Sequence, residues 1–585
     1  MSRVDPITLE VVRNALVAYA DEMATVLCRT AYNMMIFEIR DYCVGIVDPE
    51  GRIIAQNTGG LPIFLADLGT AVAGAVASYG LDGFAPGDVL ISNDPRLCGQ
   101  HLNNIVIFTP VFADGKLVAF PALRAHWVDV GGGSRGFGST ASREIFHEGL
   151  QLCGLKIYKA GEPVNEVLRL ISDNIRFPQS SFGDLRAQIA GCRLGEQRLG
   201  ELFDRYGYET VRSAIETIWD QSETLVRAAI RAIPDGVYAA ESMLDHDFLD
   251  RSTPIPIKLR VIIDGDGMCV DFSDLPTRLK GPMNAGRSGG IACARVAFKC
   301  IVAPNAVVNE GEMRALSVIL PDDTMLSALP PAPLTFWSSA MPTVIDTILR
   351  ALAPVLPDRI PAAHKGDMSG LAIYGHDQQR RRDFICLNIF GGGFGAKSRG
   401  DGVSAVVSVC QGAVHNAPVE VQEAYYPLLI EAHRLRPDSG GAGRHRGGLG
   451  VELVYTSSQE FLVNTHLQRT ILPPWGLDGG GDALAMDACI ETSSGEILPG
   501  TGLDGARIRP GDRLVVRGGG GGGFGPAEQR PAELVAQDVA EGLVSIAAAR
   551  DAYGVVIDPA TGAIDLAATQ ARRAQMAAGR TVSTC

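Results

Sequence analysis

His101-Leu-Asn-Asn-Ile-Val-Ile-Phe-Thr-Pro-Val-Phe-Ala113-Asp114-Gly115-Lys116-Leu-Val-Ala-Phe-Pro-Ala-Leu-Arg-Ala-His126 is the stretch whose reading decides the rest. Residues 105–112 and 116–120 are rich in β-branched and aromatic side chains, which fit a pleated, half-buried surface. Asp114-Gly115 lies between them, a dipeptide that tolerates the two positive φ angles of a type I′ turn. The stretch therefore reads as a β-hairpin. With Ala113 opposite Lys116 in an unbroken ladder, Asn103 faces His126 and His101 faces Val128. His101 and His126 then share one face as diagonal neighbours, about 7–8 Å apart between backbones, within reach of a single cation. Asn104 falls on the other face unless a bulge or turn near 103 brings it round. The plain alternative is two polar residues at the open end of a hairpin, bonded to backbone.

Upstream, Asp5-Pro6 supplies an acidic N-cap followed by Pro at the first helical position. Leu9, Val12, Leu16, Tyr19 and Met23 recur behind it at helical spacing. Val44 to Asp48, then Pro49-Glu-Gly-Arg and Ile53-Ile54, reads as strand, turn, strand. Residues 60–80 are apolar and small, a packed helix rather than a linker. Downstream, Gly131-Gly-Gly-Ser-Arg-Gly-Phe-Gly138 is a mobile loop. Residues 185–232 read as helical, 237–275 as strands, and 290–302 and 343–354 as helices. Beyond 369 the chain is Gly-rich and strand-like, with a helix-turn pattern over 532–550 and a terminus of about fourteen residues expected to fray. The expected architecture is α+β: a multi-subdomain mixed α/β protein with a β-rich, Gly-rich C-terminal half. Its expected regions are 1–235, carrying the hairpin, 236–430, and 431–585.

At 585 residues the chain has room for about four domains, or for two or three large ones. Hydrophobic residues at 46% and charged residues at 20% describe a globular chain rather than a disordered or fibrous one. Lys and Arg number 52 against 66 Asp and Glu, a net charge of −14 that repels nucleic-acid backbones. The 12 cysteines form no C-x-x-C pair, which argues against zinc ribbons and for reduced thiols. Asp5 and Glu10 occupy positions where a secretion signal needs a cationic start and an apolar run. No uninterrupted apolar run reaches about 18 residues, so no membrane span is expected. Together these point to a cytoplasmic enzyme or enzyme subunit.

Gly391-Gly-Gly-Phe-Gly-Ala-Lys397-Ser398 approaches the phosphate-binding pattern G-x-x-x-x-G-K-[ST], but Ala396 replaces the last Gly and the following Arg399-Gly-Asp-Gly402 opens no helix. The run from Gly518 to Gly523 could cradle an anion; tight turns against another backbone are the better expectation. Glu420 and Glu423 would share a helical face, in a solvated or salt-bridged role. Asp438 to Gly450 packs glycines around Arg444, His445 and Arg446, either to bind an anion or to make turns. No Cys has a persuasive His partner in sequence.

Several blocks in one order carry a family resemblance. They are Asp5-Pro-Ile-Thr-Leu-Glu-Val-Val-Arg-Asn14, Arg40-Asp-Tyr-Cys, Asn93-Asp-Pro95, His101-Leu-Asn-Asn104, Arg124-Ala-His-Trp-Val-Asp-Val-Gly131, Glu144-Ile-Phe-His-Glu-Gly149, Gly183-Asp-Leu-Arg-Ala-Gln188, Asn309-Glu-Gly311, Asn416-Ala-Pro-Val-Glu420, Asp438-Ser-Gly-Gly441 and Arg446-Gly-Gly-Leu-Gly450. Over nearly its whole length the chain resembles the hydantoinase B/oxoprolinase family, the B-type subunits of ATP-dependent hydantoinases, oxoprolinases and lactamases. That family also includes the large subunits of acetone and acetophenone carboxylases. The resemblance implies a divalent metal ion (Mn, Zn or Fe) on His101, Asn104 and His126, with Asp41 as a further ligand. Asp41 or Asp129 is the candidate base, from proximity alone, since each lies in a sequence block near the mapped histidines. Asn104 stands where the family usually has Asp, and Trp127 where a second His often follows. It implies a separate A-type partner that binds ATP and phosphorylates a small-molecule substrate, hence a hetero-oligomer. The leading expectation is a cyclic-amide hydrolase subunit acting on C–N bonds. The alternatives are a ketone carboxylase subunit and a non-catalytic scaffold with a degenerate site.

Overall fold

Asp5 does cap a helix. In the computed structural model, which describes residues 4–64 and 66–582, its carboxylate accepts from the Ile7 amide at 3.1 Å and the Thr8 amide at 3.0 Å. Helix Pro6–Thr30 follows, burying Leu9, Val12, Leu16 and Met23. This stripe and that of helix Pro178–Tyr206 cover one face of a sheet built from β1 (Tyr42–Val47), β2 (Ile53–Gln56), β3 (Val89–Ser92), β4 (Asn104–Phe108), β5 (Val111–Ala113), β6 (Lys116–His126), β7 (Leu155–Lys159) and β8 (Glu162–Pro163). The order is β2-β1-β6-β4-β3-β7-β8, with β5 paired to β6 alone. Met23, Leu27, Ile105, Ile107, Leu123, Ala125, Trp127, Leu185 and Cys192 form one core between sheet and helices. Gly191 makes the close approach feasible: a Cβ there would stand 2.6 Å from a Leu123 methyl.

The hairpin turn forms as its composition dictates, with Asp114 at φ 49° and Gly115 at φ 73°. The ladder beyond it is not unbroken. Ala113 faces Lys116 and Phe112 faces Leu117, but Val111 faces Ala119. The extra residue, Val118, is a β-bulge, and it advances the register by one. Asn104, not Asn103, therefore stands across from His126.

The chain forms two compact units, each assembled from separated stretches. One comprises Met1–Ser242, Asp247–Ala351 and Cys410–His415; the other comprises Met243–His246, Leu352–Val409 and Asn416–Cys585. Composition along the chain cannot reveal such interleaving. Besides the first sheet, the first unit carries strands Leu316–Ile319, Gly267–Asp271 and Ile255–Asp264, adjacent in that order. One apolar stretch, Pro62–Tyr79, meets the length and composition needed to cross a membrane, with a mean hydropathy of 1.3 over 18 residues. Its helix, Asp67–Tyr79, buries Asp67, Leu68, Ala71, Val72 and Ala75, as expected of a core helix.

In the second unit the strands Arg382–Ile389, Gly370–Asp377, Phe461–His466 and Ala506–Ile508 form one sheet. Leu429–Leu435, Val451–Thr456, Arg513–Arg517, Asp487–Glu491 and Ile497–Pro499 form another. Its glycine runs pack against one another. The amides of Gly520, Gly521, Gly522 and Gly523 donate to the carbonyls of Leu484, Gly448, Ala363 and Gly481. A Cβ on Gly521 would lie 2.0 Å from the Phe394 carbonyl. With its amides spent on backbone, the run is no anion cradle; close backbone approach is what its glycines serve. Lys397 sits in a tight turn, its amide bonded to the Gly400 carbonyl, with no helix following. Glu423 accepts from the Ile430 amide and Asp438 from the Ser545 amide, both structural contacts. A helix runs over Leu566–Val582, into the segment expected to fray, and residues 583–585 of that segment lie outside the described residues.

Candidate active site

The bulge at Val118 sets the geometry of the site. The Trp127 amide donates to the Asn103 carbonyl at 2.8 Å, so Asn104 and His126 form the non-hydrogen-bonded pair next to it, the type whose side chains stand closest. On the other side of β6, the His126 amide donates to the Asp41 carbonyl. Asp41, His126 and Asn104 thus form one row across three neighbouring segments, on one face of the sheet. His101, in the turn before β4, folds back over this row. Its ring centroid lies 4.9 Å from that of His126, at 79°.

His101 Nδ1 lies 3.2 Å from the Thr335 carbonyl. A carbonyl only accepts, so Nδ1 carries the proton and Nε2 presents its lone pair. Thr335 is itself held: its amide and that of Leu334 donate to Glu148, which also accepts from the Ser142 hydroxyl. Burial pushes Glu148 up to about 7 against those bonds. Burial drives His101 down to about 4, partly offset by its bond to Thr335 and by the nearby Asn104 amide. His126 falls well below its ordinary value through burial and the positive charges of His101 and Arg124. Both rings are therefore neutral near pH 7, with lone pairs available. Both His126 ring nitrogens and Asn104 Oδ1 are buried without a hydrogen-bond partner. Leaving such groups orphaned is costly unless something else meets them.

A buried polar network underlies the pair. Arg124 precedes His126 by two residues and so shares its face. It pairs with Asp67 and Gln100 and lies 4.4 Å over the Phe64 ring. Gln100 donates to Asp67 at 2.9 Å and accepts from Asn104 at 2.9 Å. Burial pushes Asp41 up to about 7, with Arg124 pulling the other way. Phe137 and Trp337 wall the histidines, with ring centroids 5.3 Å from His126 and 5.9 Å from His101 respectively.

The expected residues separate into two groups. His101, Asn104 and His126 come together, and Asp41 stands in their row. Among the described residues no group of three or more His, Cys, Asp and Glu is placed to hold a metal ion. The lone pairs that face one another here are those of the two imidazoles and the Asn104 amide oxygen. Asp129 is different. Its carboxylate takes Arg176 Nη1 at 2.8 Å and the amides of Gly131 and Arg176 at 3.1 and 2.7 Å. With both oxygens engaged by a cation and two amides, it is a structural anchor rather than a base. Trp127 points to the other face, where its indole donates to Gln188 at 2.9 Å. The residue type at 127 therefore does not alter the histidine face. Sequence reading missed Arg124, although strand alternation from His126 could have found it. Nothing local points to Asp67, Gln100, Thr335 or Trp337.

Comparison with known proteins follows the same outline. A family model described as hydantoinase B/oxoprolinase matches residues 5–527. The chain is 34% identical to the beta subunit of the caprolactamase of Pseudomonas jessenii, over 98% of this chain and 100% of that one. It is 30% identical to the B-type subunit of a putative D-/L-hydantoinase of Pseudomonas sp. (strain NS671), over 95% and 96% respectively. The crystal structure of the ATP-dependent caprolactamase from Pseudomonas jessenii superposes with a TM-score of 0.91 at 32% identity, covering 98% of this chain and 100% of that one. Nucleotide-free acetone carboxylase shares the fold, with a TM-score of 0.91 at 19% identity over 99% of this chain and 84% of that one.

Proposed function

The chain belongs to the hydantoinase B/oxoprolinase family, and from that premise we propose that it is the hydrolytic subunit of an ATP-dependent cyclic-amide hydrolase. In this reading an A-type partner phosphorylates the oxygen of a lactam or hydantoin-like ring, and this chain opens the activated ring. One observation carries the reading: two neutral, buried imidazoles face each other, one fixed through Nδ1 by a backbone carbonyl, beside an orphaned amide oxygen.

Such a donor set fits a divalent cation. A ligating histidine commonly donates its other ring nitrogen to a carbonyl, as His101 does to Thr335. His101 Nε2, His126 and Asn104 Oδ1 would hold the ion. When bound, it would supply Lewis-acid stabilisation of the charge that develops on oxygen. The remaining chemistry is assigned to this chain's side chains. Asp41, pushed up to about 7 by burial, is matched to taking a proton from water near neutrality. One water adds to the activated carbon, and the ring C–N bond breaks as the nitrogen leaves as an amine carrying the proton that Asp41 returns, so the carbon becomes an acyl phosphate; a second water then divides that into carboxylate and phosphate. Arg124, locked against Asp67 and Gln100, keeps the Asp41–His126 row in place. Phe137 and Trp337 give an apolar wall that excludes bulk water.

The test is turnover of the chain co-expressed with an A-type partner. Ring opening that consumes ATP without bicarbonate, and that is lost in His101→Ala together with bound divalent metal, is expected. Bicarbonate-dependent ATP use on a ketone would assign a carboxylase instead. Wild-type protein without metal, and unaffected by His101→Ala, would leave a scaffold. The chain alone should hydrolyse no ATP; robust ATPase activity would return attention to Lys397.

A further inference from the structure

The histidine pair is closed off from solvent: His101 is 7% exposed and His126 1%. A cyclic amide of several heavy atoms cannot reach either ring as they stand. Two elements close the site: Trp337 stands against His101, and the segment that follows β6 stands against His126. Phe137, itself 6% exposed, lies 5.3 Å from the His126 ring, at 67°. It is carried between Gly136 at φ 72° and Gly138 at φ 104°, in a run, residues 131–138, with five glycines. A chain so rich in glycine holds no conformation by its own preference; its position depends on what ties it down.

Among its ties, those at its first half are specific, while Gly138 packs closely on Thr335. The base is fixed by the Gly131 amide on Asp129 and the Gly133 amide on the His147 carbonyl. Beyond it, one guanidinium gathers the segment. Arg176 Nη2 donates to the Gly132 carbonyl at 2.5 Å, and Nη1 reaches the carbonyls of Gly131 at 3.2 Å and Ser134 at 3.4 Å. The same Nη1 pairs with Asp129 at 2.8 Å. Asp129 is buried at the end of the strand, whereas the Arg176 side chain is 32% exposed. Water can therefore compete for the guanidinium without disturbing the sheet.

We propose that residues 131–138 form a lid over the histidine pair, latched by Arg176 on its Asp129 anchor, and that substrate enters by displacing Phe137. Arg176 is then a positioning residue for the site. The purpose of the lid rests on the hydrolase reading above. Its existence does not, and the experiment reads access to the imidazoles without turnover.

The full-length chain is treated with diethyl pyrocarbonate at pH 7.5, and modification of His101 and His126 is followed by peptide mass spectrometry. Amide exchange over 131–138 and alkylation of Cys192, fully buried on the opposite face of the sheet, are measured in parallel. Arg176→Ala should speed His126 modification at least fivefold and raise exchange over 131–138, with Cys192 still protected. Arg176→Lys, which keeps the charge but not the fork, should fall between. Phe137→Ala, with the latch intact, should also expose His126. An unchanged His126 rate in both Arg176→Ala and Phe137→Ala overturns the lid. So does a parallel rise at Cys192, which would make Arg176 a general stabiliser. A confirmed lid with no ring-opening activity would count against the hydrolase reading alone.

Discussion

Asn104 stands directly opposite His126 across β4 and β6, as a non-hydrogen-bonded pair whose side chains share a face with His101 folded over them. An Asp at this position would place a carboxylate against the imidazole; this chain offers a neutral oxygen. Asn104→Asp should tighten divalent-ion binding about tenfold or more, since added ligand charge strengthens a hard-cation site. Titration calorimetry of the full chain with Mn²⁺ and Zn²⁺ reads this. Equal affinity in the two proteins would remove Asn104 from the donor set.

Trp127 gives the converse case. Its side chain is in the core and its indole is bonded to Gln188. Trp127→His should add no ligand: metal stoichiometry stays the same, while stability drops by on the order of 3 kcal/mol from lost burial. Denaturant unfolding and metal analysis of one preparation report both. A gain of bound metal would show that residue 127 can reach the histidine face.

Asp184 supplies a pH dependence. One of its oxygens accepts from the Tyr32 and Asn33 amides at 2.7 and 3.1 Å, and the other is buried without a partner. Asn33 in turn donates to the His126 carbonyl at 3.0 Å. Burial pushes Asp184 up from 3.8 to about 7. The folded chain therefore keeps a proton that the unfolded chain releases. The contribution is favourable at low pH and is lost as pH rises from about 4 to 7, at no more than about 1.4 kcal/mol per pH unit. Asp184→Asn keeps an acceptor for both amides and cannot ionise. Its stability relative to wild type should rise between pH 5 and 7 and level off above that in urea unfolding. A difference that stays flat with pH would mean Asp184 ionises normally in the fold.

Gly521→Ala tests the glycine core. Its Cβ would meet the Phe394 carbonyl at 2.0 Å and the Gly395 amide nitrogen at 2.6 Å, both backbone atoms that cannot rotate away. A loss of more than about 3 kcal/mol, the upper end of ordinary overpacking, is expected. Gly200→Ala, in a helix with open space around the new methyl, is the control and should be neutral or stabilising. Similar unfolding midpoints for the two variants would show that the glycine runs are loosely packed.

Local features were legible in the sequence because their causes are local. The Asp5 cap, the Asp114-Gly115 turn and the apolar stripe of the first helix each depend on residues a few positions apart, and each appears as read. His101 and His126 also meet, but by another route than the unbroken ladder: the shifted register alone would part them, and the turn before β4 folds His101 back over the row. Strand alternation also carried Arg124 onto the His126 face, although the residue was quoted only for its family block.

Register and partnership were settled elsewhere. Val118 bulges out of the ladder, moving Asn104 onto the His126 face and Asn103 off it. A one-residue slip of this kind is chosen by packing on both sides of β6, which no hairpin sequence displays. Thr335, which fixes the tautomer of His101, lies 234 residues along the chain from it, and Gln188, which holds Trp127 away from the site, lies 61 residues from its partner. Asp129 looked like a base while only its neighbours in sequence were known; Arg176, 47 residues on, makes it an anchor. The sequence by itself determined which side chains could do chemistry and which turn would join them. Tertiary structure decided which of them face one another, because desolvation and hydrogen-bond pairing are properties of the packed interior and not of the chain that enters it.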